Sequence, residues 1–209
     1  MKIITRLRQL GLQKKLQRQL NNKDFTIISS TCVGGKIYHD LGLKFTSPTI
    51  NLWIGANDFL KFVKNLKYYL ENCDLSEVKE TNEEHPVGVL GEGNERIIIH
   101  FTHYPNFKIA KEKWNLRKKR VNYDKIYVFF TDMNGGDNVD IVKTFNKLPY
   151  KNKVMFTGKD LSRYPNTFFI KGCCEDGHLG EWWSIDQKNG YYFYQQFDYV
   201  KFLNQNVEE

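Results

Sequence analysis

Polar residues follow three predicted strands, and their side chains are of the types that carry out thiol catalysis. Cys32 comes after a short apolar strand, His103 follows a later strand, and Asp132 follows another. Because the carboxyl ends of parallel strands meet at one edge of a sheet, we expect these side chains to converge there. Cys32 would then be the nucleophile, with His103 as the base and Asp132 orienting the imidazole.

A pair of glycines, Gly34 and Gly35, follows the cysteine almost directly. If these glycines open a helix, their backbone amides would lower the pKa of the Cys32 thiol and stabilise an oxyanion. The alternative is a purely structural role, in which Cys32 is a small buried apolar residue, as cysteines near strand ends commonly are.

Two of the predicted catalytic residues have competitors or other interpretations. His100 lies close to His103, but it is flanked by apolar residues and is the better candidate for a packed histidine. Asp132 begins a segment rich in Asn, Gly and Asp, which is equally typical of a turn.

Two arginines on a predicted helix suggest a second chemistry. Arg117 and Arg120 lie three positions apart, so they share a helical face that would clamp a phosphate or carboxylate or would simply be a solvated basic face. In a sugar-nucleotide-dependent glycosyltransferase, Asp132 would hold a metal beside them, although the chain has no Asp-x-Asp motif. A non-catalytic binding or scaffold protein is the third interpretation.

The elements that must position these residues alternate between strands and helices, which favours an α/β fold. We predict a single-domain mixed, largely parallel sheet flanked by helices, with antiparallel hairpins and an N-terminal basic helix. Strands are predicted at 25–29, 87–90, 96–102, 125–130, 153–157 and 167–170, and helices at 59–70, 107–121, 139–147 and 199–203. The hairpins are predicted at 87–102 and 182–194.

The N-terminal residues 1–22 form the predicted basic amphipathic helix, and residues 23–209 form the single α/β domain. Leucines recur in this helix at near-helical spacing among Arg, Lys and Gln. The helix would dock on its own domain, on a second copy in a homodimer, or on an acidic membrane surface as a peripheral contact.

Composition narrows the classes of partner. The 209 residues carry a formal net charge of +7, which favours an anionic partner such as a sugar-phosphate or polysaccharide precursor. The basic clusters lack a nucleic-acid motif, so we predict no nucleic acid. No signal-peptide pattern or long apolar span appears, and a cytoplasmic protein with reduced thiols is expected. Because no Cys-x-x-Cys or His-x-x-x-His pair occurs, no metal and no cofactor are predicted.

Several segments together resemble a family of uncharacterised bacterial exopolysaccharide or capsule biosynthesis proteins. They are SSTCVGGKIY (29–38), LGLKFTSPTINLW (41–53), IHFTHY (99–104), AKEKWNLRKKR (110–120), LPYKNKV (148–154) and FDYVKFLN (197–204). The resemblance covers nearly the whole chain and implies a role in cell-surface polysaccharide assembly, without a defined reaction.

The chain also resembles, more weakly, a group described as papain-like cysteine peptidases. These share a cysteine after a strand end, a Ser-Pro segment and a histidine before an Arg-rich helix. The matching residues here are, in order, Cys32, Ser47-Pro48, His103 and Arg117/Arg120. The departure is at Ser30-Thr31, where the capsule-associated family more often has asparagines. Ser47, Asn51 and Tyr104, in or beside these segments, complete the residues predicted to bind substrate.

Overall fold

The structure, a computed structural model, describes the backbone of residues 2–205 and the side chains of residues 6–205. Its α-helices are α1 (Lys2–Gln19), α2 (Val33–Asp40), α3 (Ala56–Lys64), α4 (Leu66–Asn72), α5 (Phe107–Lys118), α6 (Val139–Asn146) and α7 (Tyr199–Leu203). Its strands are β1 (Thr26–Ser29), β2 (Ser76–Glu77), β3 (Val87–Leu90), β4 (Ile97–His100), β5 (Ile126–Thr131), β6 (Asn152–Thr157), β7 (Thr167–Phe169), β8 (Cys174–Glu175) and β9 (His178–Leu179).

A four-stranded parallel sheet in the order β1-β5-β6-β7 forms the centre of the molecule. Every residue of β1 and β5 is buried, because helices cover both faces of the sheet. This burial explains why these strands are nearly continuous apolar runs in the sequence. The predicted mixed α/β fold with a parallel sheet is therefore confirmed.

The two faces of the sheet carry separate cores, since successive side chains of a strand point in opposite directions. Along β5, Val128 and Phe130 pack with helices α3, α5 and α6, whereas Tyr127 and Phe129 pack with α2, α7 and the C-terminal segment. Each face of the sheet is thus covered by helices. The carboxyl ends of the strands lie between these two helical layers, where a site can form.

A second, antiparallel sheet in the order β2-β3-β4 contains the predicted hairpin at 87–102. A short segment joins it to the parallel sheet. The Trp53 backbone exchanges both hydrogen bonds with His100 of β4, at 2.9 Å each, and the Ile54 amide donates to the carbonyl of Ser30 at 3.0 Å. Residues 53 and 54 therefore bring the end of β4 close to the end of β1.

Several predicted elements differ from the structure. The helix predicted at 107–121 ends at Lys118, so Arg120 lies beyond α5 and does not share a helical face with Arg117. The helix predicted at 59–70 is two helices, α3 and α4, because Asn65 between them leaves the helical region with φ −122° and ψ 38°. The hairpin predicted at 182–194 is wrong as a strand ladder. Ile185 and Tyr192 form an isolated bridge there, and a 3₁₀ helix begins at Phe193.

Helix α1 docks on the rest of the chain through glutamines and through the later part of the predicted leucine stripe, since Leu20 is buried in the core and Leu16 packs against it. Gln9 donates to the Gly190 carbonyl, and Gln13 and Gln17 donate to Asp40. Leu7 and Leu10, which belong to the predicted stripe, are 63% and 46% exposed. Contact of this helix with a membrane surface or a second copy stays a prediction.

No helix within residues 2–205 combines the length and apolar character needed to cross a membrane.

Candidate functional site

Cys32 lies between the end of β1 and the beginning of α2, where it is the N-cap residue of the helix. Its side chain is partly exposed, unlike the buried residues on either side of it. The strand end and the helix start thus present the thiol at the edge of the parallel sheet, where the sequence places it.

The two glycines of the first turn allow α2 to lie close to its neighbours. A Cβ atom on Gly34 would come within 3.0 Å of the Ser29 Cβ atom, and one on Gly35 within 3.3 Å of the Ile50 Cγ2 atom. These glycines do open a helix, α2, which was not among the predicted helices. Their evident role is close packing of α2 against β1 and the 50–51 segment, which fixes the position of Cys32.

A cavity of about 410 Å³ opens beside the thiol, and His103 lines it together with Cys32. The remaining lining residues are Thr31, Lys36, Leu52, Trp53, Thr102, Met133, Asn134 and Trp183. His103 belongs to the turn after β4, and its backbone amide donates to the Asn51 carbonyl at 3.4 Å. His100, by contrast, stacks flat on Trp53 with ring centroids 3.6 Å apart and does not line this cavity.

The Cys32 thiol does not have the low pKa that its position next to the glycines suggests. Burial raises the pKa of Cys32, and the nearby Lys36 ammonium and the backbone amide of Cys32 oppose this effect without overcoming it. As a nucleophile, this thiol would need a base to accept its proton.

Thr31, the residue before the thiol, carries an unpaired polar group. Its side chain is 3% exposed, it lines the cavity, and its Oγ1 atom has no hydrogen-bond partner among the described residues. A buried hydroxyl without a partner costs about 1–3 kcal/mol, so this group lowers the stability of the fold beside the thiol.

Asp132 has a different setting from the one predicted for the third catalytic residue. It is 2% exposed, and its carboxylate accepts the Gly158 amide at 2.7 Å and the Leu179 amide at 2.9 Å. Burial raises the pKa of this carboxyl. No hydrogen bond joins Asp132 to His103 within the described chain, so its contacts suit anchoring of the following Met133-Asn134 segment, which lines the cavity.

The predicted arginine clamp is occupied by contacts within the protein. Arg117 is buried, donates to the Tyr104 hydroxyl at 2.6 Å and lies 5.0 Å from the centre of the Phe45 ring. Arg120 donates to the Phe45 carbonyl at 3.0 Å. Tyr104 in turn donates to the Ile50 carbonyl. Together these contacts hold the 45–50 segment and engage both guanidinium groups within the protein.

Ser47 and Asn51 shape the same segment. Ser47 is fully buried and its hydroxyl lies 2.9 Å from the Thr49 hydroxyl, which accepts the Ser29 amide. Asn51 has φ +60° and supplies the carbonyl that holds His103. Both residues thus position the strand end and the histidine instead of facing the cavity.

The cavity walls contain residues that sequence reasoning missed. Lys36 lies one helical turn after Cys32, and this spacing was the available signal for it. Trp53 and Trp183 come from distant parts of the chain. Their convergence depends on the backbone hydrogen bonds of residues 53 and 54, which join the two sheets, and on the C-terminal segment.

Comparison with known proteins places the chain among relatives of unassigned activity. A family model described as Domain of unknown function (DUF1919) matches residues 3–204. An uncharacterized protein from Haemophilus influenzae (strain ATCC 51907 / DSM 11121 / KW20 / Rd) is 37% identical over 201 residues, spanning 96% of this chain and 94% of that relative.

Proposed function

This chain belongs to the DUF1919 family, and we propose that it is a thiol-dependent transferase or hydrolase in which Cys32 attacks an acyl carbon and His103 is the base. The observation that carries the proposal is that the two residues, distant in sequence, line one cavity at the strand ends. Residues 53 and 54, which hydrogen-bond to both sheets, support this arrangement.

The state of the thiol decides how the reaction would begin. Because burial raises the pKa of Cys32, the thiol is protonated near neutral pH. His103 takes the proton as the sulfur attacks the acyl carbon, and the imidazolium then returns it to the leaving group. Water in a hydrolase, or an acceptor hydroxyl in a transferase, attacks the resulting thioester and gives its proton to His103, which passes it to the departing Cys32 sulfur.

Charge that develops on the acyl oxygen needs hydrogen-bond donors close to the sulfur. Thr31 lines the cavity, and its buried hydroxyl has no hydrogen-bond partner among the described residues. The amides that begin α2 have no acceptor within the helix, although the Gly35 amide donates to the Cys32 carbonyl at 3.0 Å. The Thr31 hydroxyl and the amides of Val33 and Gly34 support a donor site for the oxyanion, because donors held in fixed positions act strongly on a developing charge.

The cavity walls favour a substrate with an apolar face and an anionic group. Trp53, Trp183, Leu52 and Met133 supply flat or flexible apolar surface, and Lys36 supplies a cation near the thiol. The apolar face of a sugar ring that carries an acyl group, in an anionic polysaccharide precursor, satisfies both requirements. Such a substrate would also agree with the positive charge of the chain.

The alternative of a sugar-nucleotide-dependent glycosyltransferase loses its main support in this structure. Arg117 and Arg120, which would hold the diphosphate, bond to Tyr104 and Phe45. Asp132, which would hold the metal, accepts backbone amides through both carboxylate oxygens.

The proposal is tested with an activated ester, p-nitrophenyl acetate, followed by peptide mass mapping of the acylated residue. We expect an acetyl group on Cys32 and release of nitrophenol, with loss of the adduct in Cys32→Ser. Cys174→Ser is the matched control, since Cys174 is an exposed thiol on β8. If acetylation of the folded protein falls on Cys174 and spares Cys32, the thiol mechanism is wrong and a scaffold role takes its place.

A further inference from the structure

Three side chains that can bind a metal meet on the antiparallel sheet, apart from the Cys32 cavity. Glu83 and His85 come from the segment between β2 and β3, and His100 is the last residue of β4. One ligand atom from each lies within 4.8 Å of the others. The histidine nitrogens His85 Nε2 and His100 Nδ1 are 3.3 Å apart, and the Glu83 carboxylate lies 3.8 Å from His100 Nδ1.

The position of His100 is fixed on two sides. Its backbone pairs with Trp53 and with Val87, and its ring stacks on the Trp53 ring at an interplanar angle of 3°. His85 lies two residues before β3, and its ring contacts the His100 ring in an edge-type arrangement, with the two centroids 5.5 Å apart. A preformed pair of imidazoles of this kind loses little conformational entropy when it binds an ion.

The spacing of the nitrogens fits tetrahedral coordination. With metal–nitrogen bonds of about 2.0–2.1 Å, two imidazole nitrogens on a tetrahedral zinc ion are about 3.3–3.4 Å apart. The observed 3.3 Å between His85 Nε2 and His100 Nδ1 falls in this range.

We propose that Glu83, His85 and His100 bind a divalent transition-metal ion of the zinc class. Two imidazoles and one carboxylate are ligands that suit Zn²⁺, and a three-residue set leaves a fourth position for water or a ligand. The segment that carries Glu83 is tied to β4 by the ion. The Trp53 ring, stacked on the ligand His100, forms part of the Cys32 cavity wall, so the ion also stiffens that wall.

The test is titration of tag-free protein with Zn²⁺ by calorimetry, with Co²⁺ absorption as a second readout. We expect one ion per chain for the wild type. Because loss of a supporting contact to a ligand alone weakens binding by about 10–100-fold, Glu83→Gln and His85→Ala should weaken it by about 100-fold or more. Glu84→Gln, a change of the adjacent exposed carboxylate, should bind as the wild type does.

Co²⁺ separates this site from the catalytic thiol. The bound ion should show no thiolate-to-cobalt charge-transfer band, and Cys32→Ser should leave its affinity unchanged. Two results would mean that the two histidines form only a hydrogen-bonded pair: no binding of Zn²⁺ by the wild type, or wild-type affinity in both Glu83→Gln and His85→Ala. Glu83 is exposed, so its replacement leaves the fold intact and the comparison valid whatever His85→Ala does to stability.

Discussion

Buried polar side chains at the two ends of the eight-residue helix α2 differ in whether they have hydrogen-bond partners. At its beginning, the buried Thr31 hydroxyl has no hydrogen-bond partner in the described chain, and Cys32 faces a cavity. At its end, the Asp40 carboxylate is 3% exposed and accepts hydrogen bonds from the Tyr194 and Tyr199 hydroxyls.

This difference distinguishes a polar group that holds the fold together, Asp40, from a polar group beside the candidate site, Thr31. Asp40 also accepts Gln13 through its carboxylate and Gln17 through its carbonyl, so it fastens α1 and the C-terminal segment to the domain. A buried group with all its partners within the chain contributes to stability, whereas a buried group without a partner lowers stability. Substitutions at the two ends should therefore have opposite consequences.

The largest effect on stability is expected at the paired end. Asp40→Ala leaves the hydroxyls of Tyr194 and Tyr199 and the amide of Gln13 without their acceptor, and we expect a loss of about 3–5 kcal/mol. Urea unfolding followed by circular dichroism measures this loss. The exposed Asp124→Ala should change stability by less than about 0.5 kcal/mol, and an equal effect of the two variants would break the comparison.

The tyrosines at the paired end predict a dependence on alkaline pH. Burial, together with the Asp40 carboxylate, raises the pKa of Tyr199 above its value in the unfolded chain. The native state therefore holds this proton longer, so the contribution to stability is present below about pH 10 and is lost as pH rises further. Tyr199→Phe should flatten the fall of the unfolding free energy above about pH 10 by up to about 1.4 kcal/mol per pH unit.

The matched control for this prediction is Tyr191→Phe, because Tyr191 is 38% exposed. Its profile of unfolding free energy against pH should keep the wild-type slope. If Tyr199→Phe also keeps that slope, the proposed burial of the Tyr199 proton at the end of α2 is wrong.

The smallest effect on stability is expected at the unpaired end. Thr31→Val keeps the shape of the side chain and removes a hydroxyl with no partner, so stability should stay the same or rise by about 1 kcal/mol. Acylation of Cys32 by p-nitrophenyl acetate should nevertheless slow by about 10-fold or more, since an oxyanion donor is lost. A destabilised Thr31→Val protein with normal acylation would assign Thr31 to the core.

The sequence predicts the parallel sheet well, because its strands are buried on both faces and their apolar runs need no knowledge of distant partners. The predicted strands 25–29, 125–130 and 153–157 agree with β1, β5 and β6 to within one residue at each end. The position of Cys32 follows from the same local pattern, since it comes after the last apolar residues of β1.

The rest depended on contacts between distant residues. The Asp132 carboxylate accepts the Leu179 amide, and Arg117 donates to the Tyr104 hydroxyl. No pattern in the sequence identifies either partner. The cluster of Glu83, His85 and His100 arises from antiparallel pairing of β3 with β4, so no metal-ligand spacing announces it. Likewise, the raised pKa of Cys32 reflects the walls that bury it.

The most direct test of the account compares two histidines that lie close together in sequence. The rate of Cys32 acylation by p-nitrophenyl acetate is measured by intact-protein mass spectrometry for the wild type, His103→Ala and His100→Ala. We expect His103→Ala to slow acylation by about 100-fold or more without loss of stability. His100→Ala should lose stability with its Trp53 stack but acylate at nearly the wild-type rate while folded. Unchanged acylation in His103→Ala would contradict the central claim that His103 is the base for Cys32.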